Sequence, residues 1–219
     1  MDANLKVQQF SIDYFQKLSN LYQDFVVGDR SNYLLSIAEG IEQTANLVYE
    51  QNCRKRKVIF IGNGGSASVA SHQAIDFWRN GGVKAISFNE GAMLTCISND
   101  FGYEQVFSKP IEMFAQPGDV LFAISSSGTS ANILAGVKQA LEMDCHVVTL
   151  SAFNAHNPLR KLGKLNFYVP TMSYGFAEIT HLCICHCIID ALIEAGKSSL
   201  DEVDSISQNK SQLIMNFQP

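Results

Sequence analysis

The chain has 219 residues, 47% of them apolar and 17% charged, and 21 Asp and Glu against 16 Lys and Arg leave a formal net charge of −5. That apolar share builds a globular α/β core and excludes a disordered chain, and the length suits one domain with an appendage rather than two full domains. The mild acidity argues against a nucleic-acid partner, and with no signal peptide or long uncharged apolar run the expectation is a cytoplasmic protein that does not enter a membrane.

Residues 4–27 and 31–52 carry apolar side chains at three- and four-residue spacing (Phe10, Tyr14, Leu18, Leu21, Phe25, then Leu34, Ile37, Ile41, Ala45, Val48), which predicts two amphipathic helices. Gly28 and Asp29 separate them, and Ser31 offers a cap for the second. A single sheet face cannot cover both helices, so residues 1–52 are expected to pack partly on partner subunits of a homo-oligomer.

Residues 57–79, KVIFIGNGGSASVASHQAIDFWR, run from a β-branched apolar stretch through Gly62, Gly64 and Gly65 into a helical period. This predicts a buried strand, a tight turn and a helix start with Ser66 as the cap, and the free amides of such a start bind an anion. His72 and Asp76, four residues apart, share a helix face one to two turns from that turn, as a metal-binding or proton-transfer pair would. Further apolar, β-prone segments follow at 84–88, 119–125, 146–151 and 165–169, most separated by helical patterns. Strand and helix in alternation predict a parallel sheet covered on both faces, with ligands beyond the carboxyl ends of the strands. A last helix is expected over about 176–195. Residues 53–195 thus form the main domain and 196–219 a polar tail with an apolar end, read as a loose terminus.

A second anion site is expected in LFAISSSGTSANI, where Ser125, Ser126, Ser127, Thr129 and Ser130 surround Gly128 before a helix from about Thr129. With the GNGGS turn beside it, a phosphate-type ligand is the better reading of the pair; no GxxxxGK[ST] loop accompanies them. In ISNDFGYEQVF, Asn99 and Asp100 are expected on a loop before a helix near Tyr103, where Asp100 is open to two roles, binding sugar hydroxyls or capping. His181 reads as a core residue, whereas His186 gains interest from the carboxylate and imidazole available in Asp76 and His72. The six cysteines show no CxxC spacing and read as reduced, mostly buried thiols; successive members of Cys183, Cys185 and Cys187 point about 200° apart on a helix, which favours core packing over a metal.

Taken in order, GNGGSAxxxxH, SNDFGYEQVF, ISSSGTSxNI and ExxHxxxxH resemble the phosphoheptose isomerase family, built on the sugar-isomerase (SIS) domain, over roughly residues 5–195. The resemblance implies a three-layer α/β/α sandwich with a five-stranded parallel, flavodoxin-like sheet behind an N-terminal helical hairpin, and a homotetramer. It implies conversion of sedoheptulose 7-phosphate to glycero-manno-heptose 7-phosphate for bacterial surface polysaccharide. It gives phosphosugar contacts to Asn63, Gly64, Gly65, Ser66, Asn99, Asp100, Ser125, Ser126, Ser127, Ser130 and Glu178. Base and acid roles fall to Asp76 and His186, and zinc ligation to His72, Asp76, Glu178 and His186. Three positions depart from the family's usual pattern: Asp76 replaces Glu, Glu178 replaces Gln, and Val69 replaces an acidic residue.

The resulting reading is an aldose–ketose isomerase of a phosphorylated sugar. Its alternatives are a non-catalytic relative of the same fold that binds the bacterial replication initiator, against which Asp76 and His186 argue, and a phosphosugar-sensing module, against which the lack of a basic recognition helix argues. One spacing raises a question of reach: eight residues part Glu178 from His186, so in one regular helix their Cα atoms lie about 12 Å apart along the axis. Either the helix begins after Glu178 or one of the two comes from a neighbouring chain, and the expectation is that His186 crosses a subunit interface.

Overall fold

Alternation within the strands sets the layers. In β3 (Val58–Gly62) and β5 (Val120–Ser125), Val58, Phe60, Val120, Phe122 and Ile124 enter one apolar cluster, while Ile59, Ile61, Leu121 and Ala123 enter another. A sheet buried on both faces needs this continuous apolar strand rather than a polar–apolar alternation. The computed structural model describes residues 3–31 and 33–196; the expected polar tail lies almost wholly outside them.

Seven strands form one sheet in the order β2-β1-β7-β6-β5-β3-β4. Its five parallel strands are β3, β4 (Ala85–Ser87), β5, β6 (His146–Ser151) and β7 (Leu165–Tyr168), close to the expected segments. The other two are β1 (Val26–Asp29) and β2 (Leu34–Leu35), a hairpin added antiparallel to β7. This corrects the two-helix reading of residues 1–52. α1 (Ala3–Asp24) stops before Phe25, and the supposed helix break Gly28–Asp29 is strand. Ser31 caps nothing: with Tyr33 it closes the hairpin turn onto the Asp29 carboxylate. α2 (Ile37–Cys53) starts instead at Ser36, whose hydroxyl accepts from the Glu39 amide while the Glu39 carboxylate accepts from the Ser36 amide.

On one face of the sheet lie α2, α3 (Gly65–Arg79) and α7 (Tyr174–Glu194), around the stacked and edge-on rings of Phe60, Phe77 and Phe122. On the other lie α4 (Gly91–Phe101), α5 (Ser108–Phe114) and α6 (Ala131–Glu142). α7 is long and apolar enough by length and composition to cross a membrane, yet it carries Glu178 and Asp190 and packs on α2 and α3 with Ala177, Ile184, Ile188 and Leu192 in the core. All six cysteines are free; only Cys145 and Cys185 are buried, so the expectation of mostly buried thiols is corrected, while Cys183 and Cys187 flank Cys185 on the exposed side. α1 meets α7 chiefly through Tyr14 on Phe176, ring centroids 4.5 Å apart. Leu5, Val7, Phe10, Ile12 and Phe15 remain more than half exposed.

Candidate active site

At the carboxyl ends of β3 and β5 the chain turns twice into a helix, and both turns open on one cavity of about 260 Å³. The first turn needs glycine for two reasons. Gly64 has φ +53°, a left-handed backbone that side chains rarely adopt, and a Cβ on Gly65 would fall on the Glu178 carboxylate. Gly64, not Ser66, is the N-cap of α3; Ser66 lies buried inside the first helical turn.

The second turn, after β5, is held by its own serines. Ser125 Oγ accepts from the Gly128 amide at 3.2 Å, and Ser127 Oγ accepts from the Thr129 amide at 3.3 Å. α6 begins at Ala131, two residues later than expected, and its N-cap Ser130 makes no capping bond with its side chain. Ser126 Oγ is buried without a hydrogen-bond partner. Ser36 caps α2, Glu90 caps α4 and Ser173 caps α7, while α5 starts without a side-chain cap. Both helices that open on the cavity start without a cap from the N-cap side chain; the Ala67 amide is taken by the Asn63 and Gly64 carbonyls and the Ile133 amide by Asn132 Oδ1, and the amides before these, with the Ser126 hydroxyl, remain donors for a ligand.

Asn63 and Asn132 tie the two turns together by reciprocal amide bonds of 2.9 and 2.8 Å, and Tyr103 donates to Asn63 Oδ1 at 3.2 Å. The cavity is lined by Asn63, Gly64, Gly65, Ser66, Ser125, Ser126, Ser127, Ser130 and Glu178 of the expected set, with Ile124 and Tyr174 besides. Asn132 and Tyr174 were missed. Asn132 had a signal, since it follows the serine loop at the first turn of α6; Tyr174 arrives from the far end of the sequence and had none. Asn99 and Asp100 are not brought there. They sit exposed at the end of α4 rather than on a loop; Asp100 accepts from Asn99 Nδ2 at 2.8 Å and caps no helix.

A second group forms farther along α3. Asp76 Oδ2 lies 3.2 Å from His72 Nε2 and 3.6 Å from His186 Nδ1, and the imidazole centroids are 5.4 Å apart. Among the described residues these three offer ligand atoms within 4.8 Å of one another. Tetrahedral zinc holds donors about 2 Å away and so about 3.4 Å from each other; two imidazoles and a carboxylate fit with small side-chain adjustments, leaving one position open. Glu178 is not of this group. α7 runs unbroken from Tyr174, so the reach argument holds, but it is Glu178 that stands apart: His186 meets Asp76 of its own chain and need not cross an interface. Nor does the pair adjoin the turn. His72 and Asp76 stand about 10 and 16 Å beyond Gly65 along the helix, two and three turns rather than one to two.

His181 is fully buried, as expected of a core residue, and its Nε2 lies 3.1 Å from the Ser151 carbonyl at the end of β6. Burial pushes its imidazole down to about 4, the Ser151 carbonyl opposing, so it stays neutral.

Residues 22–152 match the SIS domain family. A phosphoheptose isomerase of Helicobacter hepaticus is 32% identical over 179 residues, 78% of this chain and 91% of that one. The chain belongs to the phosphoheptose isomerases of the SIS domain family. A phosphoheptose isomerase of Thiobacillus denitrificans is 34% identical over 165 residues, covering 72% of this chain and 84% of its own. Among solved structures, the phosphoheptose isomerase of Neisseria gonorrhoeae superposes with a TM-score of 0.73 at 28% identity, over 85% of this chain and 99% of its own. That of Francisella tularensis, at 21% identity and TM-score 0.72, shares the fold. The family match therefore takes in β1 to β6 and both turns, including the β1–β2 hairpin that the sequence reading had left as helix, while β7 and α7 lie beyond it.

Proposed function

We propose that this SIS protein is a cytoplasmic aldose–ketose isomerase of a phosphorylated sugar, converting sedoheptulose 7-phosphate to glycero-manno-heptose 7-phosphate for bacterial surface polysaccharide. The observation that carries the substrate class is the cavity where two uncapped helix starts and the unpartnered Ser126 hydroxyl converge. Such a site binds a phosphate through amides and hydroxyls alone.

The chemistry falls to His72, Asp76 and His186. Moving a carbonyl between adjacent carbons requires a base to take the proton beside it, and Asp76 is in place to do so, with His186 returning protons at the sugar oxygens. His72, Asp76 and His186 would hold zinc, which when bound supplies Lewis-acid stabilisation of charge on those oxygens. The shorter Asp76, where the family usually has Glu, still reaches both imidazoles. Retention of this trio favours catalysis over a binding-only relative.

Distance favours a shared site. A sugar phosphate seated on Ser125–Ser130 spends its length crossing to Gly65 and Glu178, and the trio of the same chain stands two to three helical turns farther on. The trio that acts on it then belongs to a neighbouring subunit, and Glu178 on the pocket side completes the ligand set. Ile75 and Trp78, about half exposed beside Asp76, and the bare apolar face of α1 support a homotetramer built over these surfaces. The decisive assay incubates the protein with sedoheptulose 7-phosphate and related ketose phosphates, with and without zinc, and follows aldose formation. No turnover of any of them, with the protein folded and zinc-loaded, refutes the reading.

A further inference from the structure

At the amino ends of β6 and β7, the end of the sheet away from both turns, a cleft of about 570 Å³ lies between the β1–β2 hairpin, α2 and the turn from α6 into β6. It has about twice the volume of the 260 Å³ cavity between the turns. Two cations meet there. β1 runs antiparallel to β7 and its last pair sets Asp29 against Leu165, so the same register places Arg30 opposite Lys164 one step farther on. Both line the cleft, and like charges opposite each other across two strands repel.

Nothing in the protein neutralises them. Among the described residues neither Arg30 nor Lys164 forms an ion pair, and the Arg30 guanidinium is steadied by donating to the Leu162 carbonyl at 3.0 Å. The Asp29 carboxylate is engaged in the hairpin turn, its Oδ1 accepting from the Ser31 and Tyr33 amides and from the Ser31 hydroxyl. His146, in the same wall, feels the positive field: burial first, then Lys164 and Arg54, push its imidazole below the usual value, with Glu50 opposing. Leu141, Val147 and Leu165 give the cleft an apolar side, and Asp144 lines it from the turn before β6.

We infer that this cleft is a nucleotide site, separate from the isomerase site: the phosphate sits between Arg30 and Lys164, the base lies on Leu141, Val147 and Leu165, and ribose hydroxyls donate to Asp144. Charge-assisted bonds from two unneutralised cations select a phosphate, and the volume is that of small-molecule sites. A flat base covers the apolar side, which a sugar, polar on both faces, would leave wet.

The inference does not depend on the phosphosugar reading. The full-length protein is titrated by calorimetry with AMP, GMP, CMP and UMP, and with inorganic phosphate. At least one nucleotide should bind at one site per chain, about tenfold or more tighter than phosphate. Lys164 is exposed, so Lys164→Gln should leave the fold intact and weaken that nucleotide about tenfold or more, while Lys164→Arg keeps the affinity. Ser126→Ala, at the other end of the sheet, should not change it. The assignment is overturned if none of the four nucleotides binds more tightly than phosphate, if Lys164→Gln binds as the wild type does, or if Ser126→Ala weakens the nucleotide as much as Lys164→Gln, which would seat it on the serine turn.

Discussion

Subunit exchange between two crippled variants reads out where the site is assembled. Ser130→Asp places a carboxylate at the mouth of the phosphate turn; because Ser130 is the N-cap of α6 and Asp is a good cap, the helix should form while phosphate is repelled. Asp76→Asn removes the base. If each site pairs the cavity of one chain with the trio of a neighbour, a site in a randomly mixed oligomer is intact when its cavity chain lacks the first change and its trio chain lacks the second. Each condition holds for half the chains, so about a quarter of wild-type activity should return after equal mixing. The pair Asp76→Asn and His186→Asn behaves differently, because both residues belong to one chain's trio, 3.6 Å apart, and no mixture makes a trio whole. The assay is aldose formation after mild denaturation and refolding of the mixtures, with exchange verified by mass spectrometry. Activity from the second pair, or none from the first once exchange is verified, refutes the shared-site argument.

Replacing Ser126 by Ala removes a donor to a charged oxygen, worth about 1.5 to 3 kcal/mol, so phosphosugar affinity should fall about tenfold or more by calorimetry. Because that hydroxyl has no partner in the protein, the melting temperature should not fall; a clear loss of stability would show that Ser126 serves the fold instead. Zinc should raise the melting temperature of the wild type, by about 2.7 kcal/mol of stability at a hundred times its dissociation constant, and His72→Asn should abolish the effect; an unchanged shift in that variant removes His72 from the ligand set. His181 gives a pH dependence with a definite sign. Its unfolded imidazole protonates near 6.5 and its folded one only near 4, so the stability it confers is complete above about pH 7 and is lost on acidification, about 2 kcal/mol of it by pH 5. Urea unfolding at pH 7 and 5 measures this, and a His181→Gln variant with the same pH slope as the wild type contradicts it.

The parallel strands were legible because each is a short apolar run bounded by turn residues, and burial on both faces tolerates nothing else. The hairpin was not. VVGDRSNYLL holds apolar residues that also fit a helical period, and the longer helical pattern on either side absorbed it. Two local signals pointed the other way: the polar GDRSN stretch, where Asp29 gathers the Ser31 and Tyr33 amides, and Ser36 three residues before Glu39, which marks a helix start by reciprocal capping. A capping pair fixes a helix start more sharply than periodicity does, since it names the residue at which unpaired amides must find partners.

For the site, the sequence shows which side chains share a helix but not how far the two working groups lie from each other once the helix is built. GNGGS and SSSGTS each announce a strand end followed by a helix, and parallel strands that are neighbours in the sheet bring two such ends together, so the cavity between the two turns follows from topology. The structure brings His72 and Asp76 beside His186, but a spacing of seven and eleven residues from Gly65 becomes about 10 and 16 Å only because α3 is unbroken from its first residue. The same arithmetic parts Glu178 from His186 on α7. Each of the two helices thus carries one residue of the cavity, Gly65 on α3 and Glu178 on α7, and at least one of the trio farther on, so the pair of helices holds the two groups apart within each chain. On the proposed shared site, catalysis on a single sugar would require two chains to lie so that the cavity of one faces the trio of the other, and the exposed apolar surface around Ile75 and Trp78 would then be part of the active site's construction rather than only of its assembly.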